Sequence, residues 1–287
     1  VSTDAVREGV HFFFDDAPAD IASKALAVNV SDIVAKGARP LSYVMALSFR
    51  ELPDQGWLTD FAAGLKEAQE KFGLHLAGGD LDRAPGPLSI VITIFGEVPT
   101  GTMVTRAGAQ AGDGLFVSGV LGQSAFGLRL RRDRDLAGVW GLCRDDAQEL
   151  VQRYLRPDPP HALAPLIRTY ARAAMDLSDG LIKDLGRLCA TSGVGAVVTM
   201  DDVPVSDAVA GVLARKPHMR DLVVTGGDDY QVLLAVPADR ETDFTEAAAA
   251  QGSHVSRIGR ITADVGVRLT DSDGRQIVLS KTGWDHF

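Results

Sequence analysis

Apolar positions along this chain recur with two periods, and the way those periods alternate sets the fold class. From Asp20 to Lys36 most residues are Ala, Leu, Val or Ile, with a capping candidate at Asp20 and a stop at Gly37 before Pro40. That composition predicts a helix buried on most of its sides. Within 56–72, Leu58, Phe61, Leu65, Ala68 and Phe72 fall at helical spacing and end at Gly73, the pattern of an amphipathic helix. Apolar runs at 41–49, 74–77 and 88–98, bounded by Gly and Pro, predict strands.

Between Pro99 and Gly114 the composition turns to Gly, Thr and Ala before a new strand opens at Leu115. A domain boundary is expected there, dividing the chain into an N-terminal domain, 1–105, and a C-terminal domain, 106–287. In the second part the pattern predicts helices near 123–130, 145–155, 163–173 and 181–190, and strands near 196–200, 231–236 and 254–261. A terminal hairpin is expected to turn at Asp273-Gly274. Alternating helices and strands give an α/β plan in two domains. Each half has a Ser-Asp pair followed by Gly-Gly-Asp, 48 positions from Asp32 to Asp80 and 49 from Asp179 to Asp228, a spacing expected of an ancient duplication.

Composition narrows the function. With 287 residues, 46% hydrophobic and 23% charged, the chain has the balance of a globular enzyme with a sizeable core. A net charge of −9 without a Lys/Arg cluster opposes nucleic acid and anionic lipid as partners. No apolar run approaches the ~20 residues of a membrane span. The two cysteines, Cys143 and Cys189, form no CxxC pair, so neither a disulfide framework nor a zinc site is expected and a reducing, cytoplasmic setting fits. The opening Val1-Ser2-Thr3-Asp4 reads as the middle of a strand, so a segment is expected to precede it.

The chemistry lies in aspartates set beside Gly or Ser: VSTD at 1–4, NVSD at 29–32, LAGGD at 76–80, MDLSDG at 175–180 and VTGGDDY at 224–230. Placed at the ends of apolar segments, they are expected to project from strand ends. Carboxylates of this kind bind Mg²⁺ together with water and nucleotide phosphate, because that ion keeps several waters, and glycine allows close backbone approach. Each motif alone reads equally well as a turn or a helix cap; five together point to a metal and nucleotide site. No GxxxxGK[ST] is present, and VSGVLGQSAFG lacks GxGxxG, so Gly119, Gly122 and Gly127 read as a strand-to-helix turn. Glu67, Glu70, Lys71 and the stretch 129–135 read as solvated surface.

VSTDAVREGVHF, KALAVNVSDIVAKGARP, GGD, TRAGAQAGD, MDLSDGL, GGDDY and the terminal GWDHF, in this order, resemble the motif series of the thiamine-monophosphate kinase family. That family belongs to an ATP-binding superfamily with aminoimidazole ribotide synthetase and selenophosphate synthetase. The resemblance implies two α/β domains and a homodimer whose N-terminal sheets join into a barrel, with nucleotide near the interface. It implies that Ser2, Thr3, Asp4, Asp32, Asp80, Asp176 and Asp179 hold Mg²⁺, that Gly79, Asp80, Ser178 and Arg106 meet ATP, and that Arg106 reaches its phosphates. His11, Asp228 and Trp284 would face thiamine monophosphate; read without the family, a His beside Phe12 to Phe14 is a packed core residue and Trp284 a core cap.

The implied reaction needs no protein base, because a phosphate monoester is already an anionic nucleophile at neutral pH; positioning and charge suffice. Asp4, Asp32, Asp80 and Arg106 would support the transfer. Two features depart from the family. GGEDYE appears as GGDDYQ, so Asp228 stands where a glutamate helps recognise thiamine, and an N-terminal GDDA-type motif with a further metal aspartate is absent. The alternatives are another synthetase of the superfamily, of the aminoimidazole ribotide or selenophosphate type, and a nucleotide-binding protein without turnover. A reactive cysteine near the N-terminus, which selenophosphate synthetases use, is missing here.

Overall fold

The computed structural model describes residues 1–284. Its N-terminal part runs β1 (Ser2–Arg7), α1 (Pro18–Ala35), β2 (Arg39–Phe49), α2 (Gln55–Phe72), β3 (His75–Arg83) and β4 (Ser89–Glu97). The strands form one sheet in the order β1-β4-β2-β3, antiparallel except for the parallel β2-β3 pair. The chain continues as β5 (Gly114–Ser118), α3 (Gln123–Arg132), α4 (Leu136–Trp140), α5 (Arg144–Leu155), α6 (Ala164–Tyr170), β6 (Ala173–Asp176), α7 (Leu181–Ser192) and β7 (Gly195–Thr199). It ends with α8 (Asp207–Arg215), α9 (Arg220–Thr225), β8 (Val232–Val236), α10 (Glu241–Ala250), β9 (Val255–Thr262) and β10 (Gly266–Thr270). These later strands make a second sheet in the order β10-β7-β9-β5-β8-β6.

Helix α1 joins the two halves. Ile21, Ala25, Leu26, Val30, Ile33 and Val34 are buried around its circumference, which is how a helix enclosed by protein reads. One core includes these residues, Ile90, Ile92 and Ile94 of the first sheet, and Phe116, Val232 and Leu234 of the second. A second core covers the opposite face of the larger sheet, where Val117, Leu233 and Ile258 meet Leu185 and Leu188 of α7 and Val209 of α8.

Several expectations change. Asp20 is not the cap of α1: Ala17 occupies that position, Pro18 fills the first turn where no N–H partner is needed, and Asp20 pairs with Arg156. Residues 171–173 leave helix for strand, since Ala173 opens β6, while α4, α8, α9, α10 and β10 were not foreseen. The terminal hairpin turns at Asp273-Gly274 as expected, with Gly274 N–H donating to the Asp271 carbonyl at 3.0 Å, but it shrinks to one bridge between Thr270 and Gln276. The two Ser-Asp and Gly-Gly-Asp pairs stand in unlike elements, Asp32 inside α1 and Asp80 inside β3, Asp179 and Asp228 in loops. Among the described residues no helix is long and apolar enough to cross a membrane.

Candidate active site

Segments from both halves of the molecule converge on a cavity of about 950 Å³ between them. Its walls include Asp4 of β1, His11, Asp32 of α1, Arg106, Asp176 at the end of β6, Ser178, Asp179, Asp228 and Trp284. Nine of the residues singled out in the sequence therefore share one space, although they span almost the whole chain.

Asp4, Asp32 and Asp176 form the acidic heart. Ser2 donates its hydroxyl to Asp32, and the Asn29 amide oxygen accepts from the Asp4 backbone N–H at 3.1 Å. Burial, then the charge of Asp32 and a hydrogen bond to it, push Asp4 up to about 7. Asp176 also rises to about 7, chiefly through burial and next through the Asp32 charge, with the Ser31 hydroxyl opposing. Ser31 Oγ lies 2.6 Å from Asp176 Oδ2 and 2.7 Å from the Val28 carbonyl. One hydroxyl proton can serve one acceptor, so a proton resident on Asp176 completes both contacts. Crowded carboxylates that retain protons near neutrality are what a divalent cation relieves.

The donor set fits Mg²⁺, being entirely hard oxygen. Among the described residues no three His, Cys, Asp or Glu side chains are grouped so that they could hold a metal ion by themselves.

Asp179 is oriented differently. Its carboxylate pairs with Arg187 at 2.7 Å and Lys183 at 3.5 Å. The turn that presents it is held by buried Asp184, which accepts from the N–H groups of Ser178 at 3.0 Å and Asp179 at 2.9 Å. Burial lifts Asp184 to about 6 against the pull of those bonds and Arg187. Across the cavity, Asp229 does the same for the GGDDY loop: it accepts from Gly122 N–H at 2.8 Å and Ser124 N–H at 3.4 Å, and burial raises it to about 7.

His11 lies on the cavity wall rather than in the core. Its Nδ1 accepts from the Arg7 N–H at 3.0 Å, so in the neutral ring the proton sits on Nε2. Trp284 is 48% exposed on the same wall, its backbone N–H donating to the Asp179 carbonyl at 3.0 Å. The last three residues of the GWDHF motif lie outside the described residues.

Three expected residues are elsewhere. Thr3 points to the opposite face of β1 from Asp4, as strand alternation requires, with its hydroxyl donating to the Ile92 carbonyl at 3.0 Å. Gly79 and Asp80 lie in the middle of β3 and not at a strand end. A Cβ on Gly79 would meet the Met45 carbonyl at 2.1 Å, so this glycine serves strand pairing. Asp80 stands opposite Ala46, which pairs with Val91, which pairs with Ala5. Asp80 and Asp4 thus occupy the two edges of the sheet, three strand spacings or ~14 Å apart, and face opposite ways.

The outward face of that sheet exposes Ala46, Val91 and Phe95, and β3 leaves one edge unpaired along its length with Leu76 and Leu81 exposed. A naked apolar edge and face are unusual for a lone subunit.

Sequence reasoning found Arg106 but not the other cations. Lys24, Val28, Asp32 and Lys36 recur every four residues along α1 and its C-terminal cap, one per turn on one stripe, and charges on that stripe of so apolar a helix were the available signal. Lys36 Nζ is buried without a hydrogen-bond partner; burial lowers its pKa, while Asp176 and Asp32 favour its charge and Arg106 opposes it. Arg129 and Arg132, read as surface, line the cavity. Of the glycines of VSGVLGQSAFG, Gly119 and Gly122 form the expected strand-to-helix turn, with φ of 58° and 85°, whereas Gly127 lies inside α3 against α5.

Residues 1–98 match the family described as AIR synthase related protein, N-terminal domain, and 110–272 match its C-terminal domain. The thiamine-monophosphate kinase of Escherichia coli strain K12 is 38% identical over 287 residues, covering all of this chain and 86% of that protein. The thiamine-monophosphate kinase structure from Stenotrophomonas maltophilia superposes with a TM-score of 0.87 at 38% identity, over 96% of this chain and 85% of that one. A structure of AaThiL complexed with AMPPCP and TMP gives 0.86 at 31% identity, over 100% and 86%.

Proposed function

This chain belongs to the AIR synthase related protein family, among the thiamine-monophosphate kinases, and from that premise we propose that it phosphorylates thiamine monophosphate with ATP. It is an enzyme, a phosphotransferase whose acceptor is itself a phosphate. The observation that carries the reading is the meeting of Asp4, Asp32, Asp176 and Arg106 with His11, Asp228 and Trp284 in one cavity. Acid and cation groups suited to a triphosphate lie beside groups suited to an organic acceptor.

A phosphate oxygen of the acceptor attacks the γ-phosphorus of ATP, the bond to the β-phosphate oxygen breaks, and thiamine diphosphate and ADP result. The attacking oxygen is already ionised, so no residue need remove a proton. Asp4, Asp32 and Asp176, with Ser2 supporting Asp32, would hold Mg²⁺, which when bound supplies the positive charge that lets two polyanions approach. Arg106 adds a guanidinium for the phosphates. Asp179 would join this set by exchanging Arg187 and Lys183 for a cation, and Ser178, whose backbone N–H and carbonyl are engaged by Asp184 and Asp228, would meet the nucleotide through its side chain. His11 and Trp284 would hold the heterocycles, the indole face suiting a cationic thiazolium.

The site is completed by a second copy. Asp80 and Gly79 on the unpaired β3 edge would reach the cavity of a partner subunit when the apolar outer faces of two N-terminal sheets close on each other, which gives a homodimer. We take 1–105 and 106–287 as the two domains, the first carrying the dimer contact, and a cytoplasmic setting as the one that fits two free cysteines. Neither Cys143 nor Cys189 lines the cavity, and Cys189 is buried with its thiol pushed up to about 11, so neither is placed as the nucleophilic cysteine of a selenophosphate-type synthetase.

Coupled ADP release with Mg²⁺ tests the reading. ADP should form with thiamine monophosphate and not with thiamine; equal release with both, or none with either, overturns it.

A further inference from the structure

Lys24 has no role in the reading above, yet it is among the most buried charged groups of the chain, 2% exposed. It rises from α1 one turn before Val28, which lines the cavity. Its Nζ lies 2.9 Å from Asp228 Oδ2 and 3.7 Å above the centre of the Tyr154 ring. The Tyr230 hydroxyl donates to the other Asp228 oxygen at 3.2 Å. A lysine loses several kcal/mol of hydration on such burial unless a specific arrangement repays it.

The arrangement holds a strained loop. Among the described residues Asp228 and Tyr230 are the non-glycine residues with positive φ, 69° and 49°, an uncommon conformation for aspartate and rare for tyrosine. Asp228 N–H donates to the Ser178 carbonyl at 2.9 Å, and a Cβ on Gly227 would meet that same oxygen at 2.4 Å. The loop is thus pressed against the segment carrying Asp176 and Asp179, and the lysine fixes where its carboxylate points.

We propose that Lys24 is a specificity-determining positioning residue: acting through Asp228, it fixes the carboxylate that receives the heterocyclic end of the acceptor. The inference rests on Asp228 as an acceptor contact in the reading above. With one oxygen held by an ammonium and the other by a hydroxyl, the pair shows the cavity a neutralised hydrogen-bond acceptor. It therefore selects a substrate amine donor and not simply a positive charge. The carboxylate here is one methylene shorter than the family glutamate, and the long lysine side chain supplies the reach that fixes it.

The test compares Lys24→Met, Asp228→Asn and the double variant, with KM for thiamine monophosphate and for ATP measured separately. Lys24→Met should raise KM for thiamine monophosphate about tenfold or more, the loss of an ordered charge-assisted bond, with KM for ATP within about twofold. In the Asp228→Asn background the same change should add nothing. A lowered melting temperature with an unchanged KM makes the lysine structural and overturns the proposal, as does an equal rise in the Asp228→Asn background. Should Lys24→Met not fold, the ¹⁵N ammonium resonance of Lys24 in the unaltered protein decides: it should move on adding thiamine monophosphate and stay on adding an ATP analogue, the reverse overturning the idea. Absence of ADP release by the unaltered enzyme would instead remove the functional reading, and this inference with it.

Discussion

Asp4 and Asp80 lie level with one another along the first sheet, yet on its opposite edges and opposite faces. No side-chain motion within one subunit brings them together. If the two serve one nucleotide, they come from different copies.

Subunit mixing checks this. Asp32→Asn and Asp80→Asn enzymes should each be inactive, and a mixture allowed to exchange subunits should recover about a quarter of normal activity, because half the dimers are mixed and each has one intact site. A mixture as inactive as its parents would put Asp80 outside the shared site.

The same interface predicts a response to surface charge. Phe95→Glu and Val91→Glu replace partly exposed apolar side chains on the outer sheet face. Light scattering should register the loss of a dimer with little change in secondary structure; a dimer that persists in the double variant would place the contact elsewhere.

Protons should leave the site when cations enter. Asp4 and Asp176 are both raised from 3.8 to about 7, so at neutral pH part of the population is protonated, and Mg²⁺ must displace those protons. Apparent Mg²⁺ affinity should fall as pH drops through about 7, and calorimetry in buffers of different ionisation enthalpy should register proton release. Binding heats independent of buffer would contradict the coupling.

Stability has the opposite sign. A carboxylate raised in the folded state contributes stability that is whole below its unfolded pKa and is lost as pH climbs through the folded one. Asp4, Asp176 and Asp229 at about 7 and Asp184 at about 6 together should lower the melting temperature of metal-free protein between about pH 4 and 7. Mg²⁺ with an ATP analogue should oppose the decline at the alkaline end, which thermal denaturation across pH reads directly.

Helix packing beside the site is equally exacting. A Cβ on Gly127 of α3 would meet the Leu150 carbonyl of α5 at 1.9 Å, so Gly127→Ala should cost about 1–3 kcal/mol, measured by denaturant unfolding.

Much of this was legible beforehand, for physical reasons. The strand-helix alternation, the apolar run of α1 and the aspartate motifs survive because periodicity and Gly-flanked carboxylates are local signals. The placement of Asp80 was not legible: Gly-Gly-Asp reads as a turn, while pairing with β2 draws it into a strand. The direction of Thr3 was not legible because motif membership does not say which way a strand residue faces. Lys24 and Lys36 were hidden in and at the end of a helix read for its apolar residues, although their spacings from Asp32, eight and four residues, were present in the sequence. Asp184 and Asp229 hold loops through backbone N–H groups far from them in their motifs' logic, and such bonds leave no compositional trace.

Helix α1 shares its buried surface between both sheets and also carries Lys24, Asp32 and Lys36. Cutting the chain between Glu97 and Gly114 would strip that helix of one neighbour, leaving a greasy flank in water and half a binding pocket on each fragment. Assembly of the pocket and closure of the whole molecule are therefore a single event, so a newly made chain gains the means to bind nucleotide no sooner than it has finished folding.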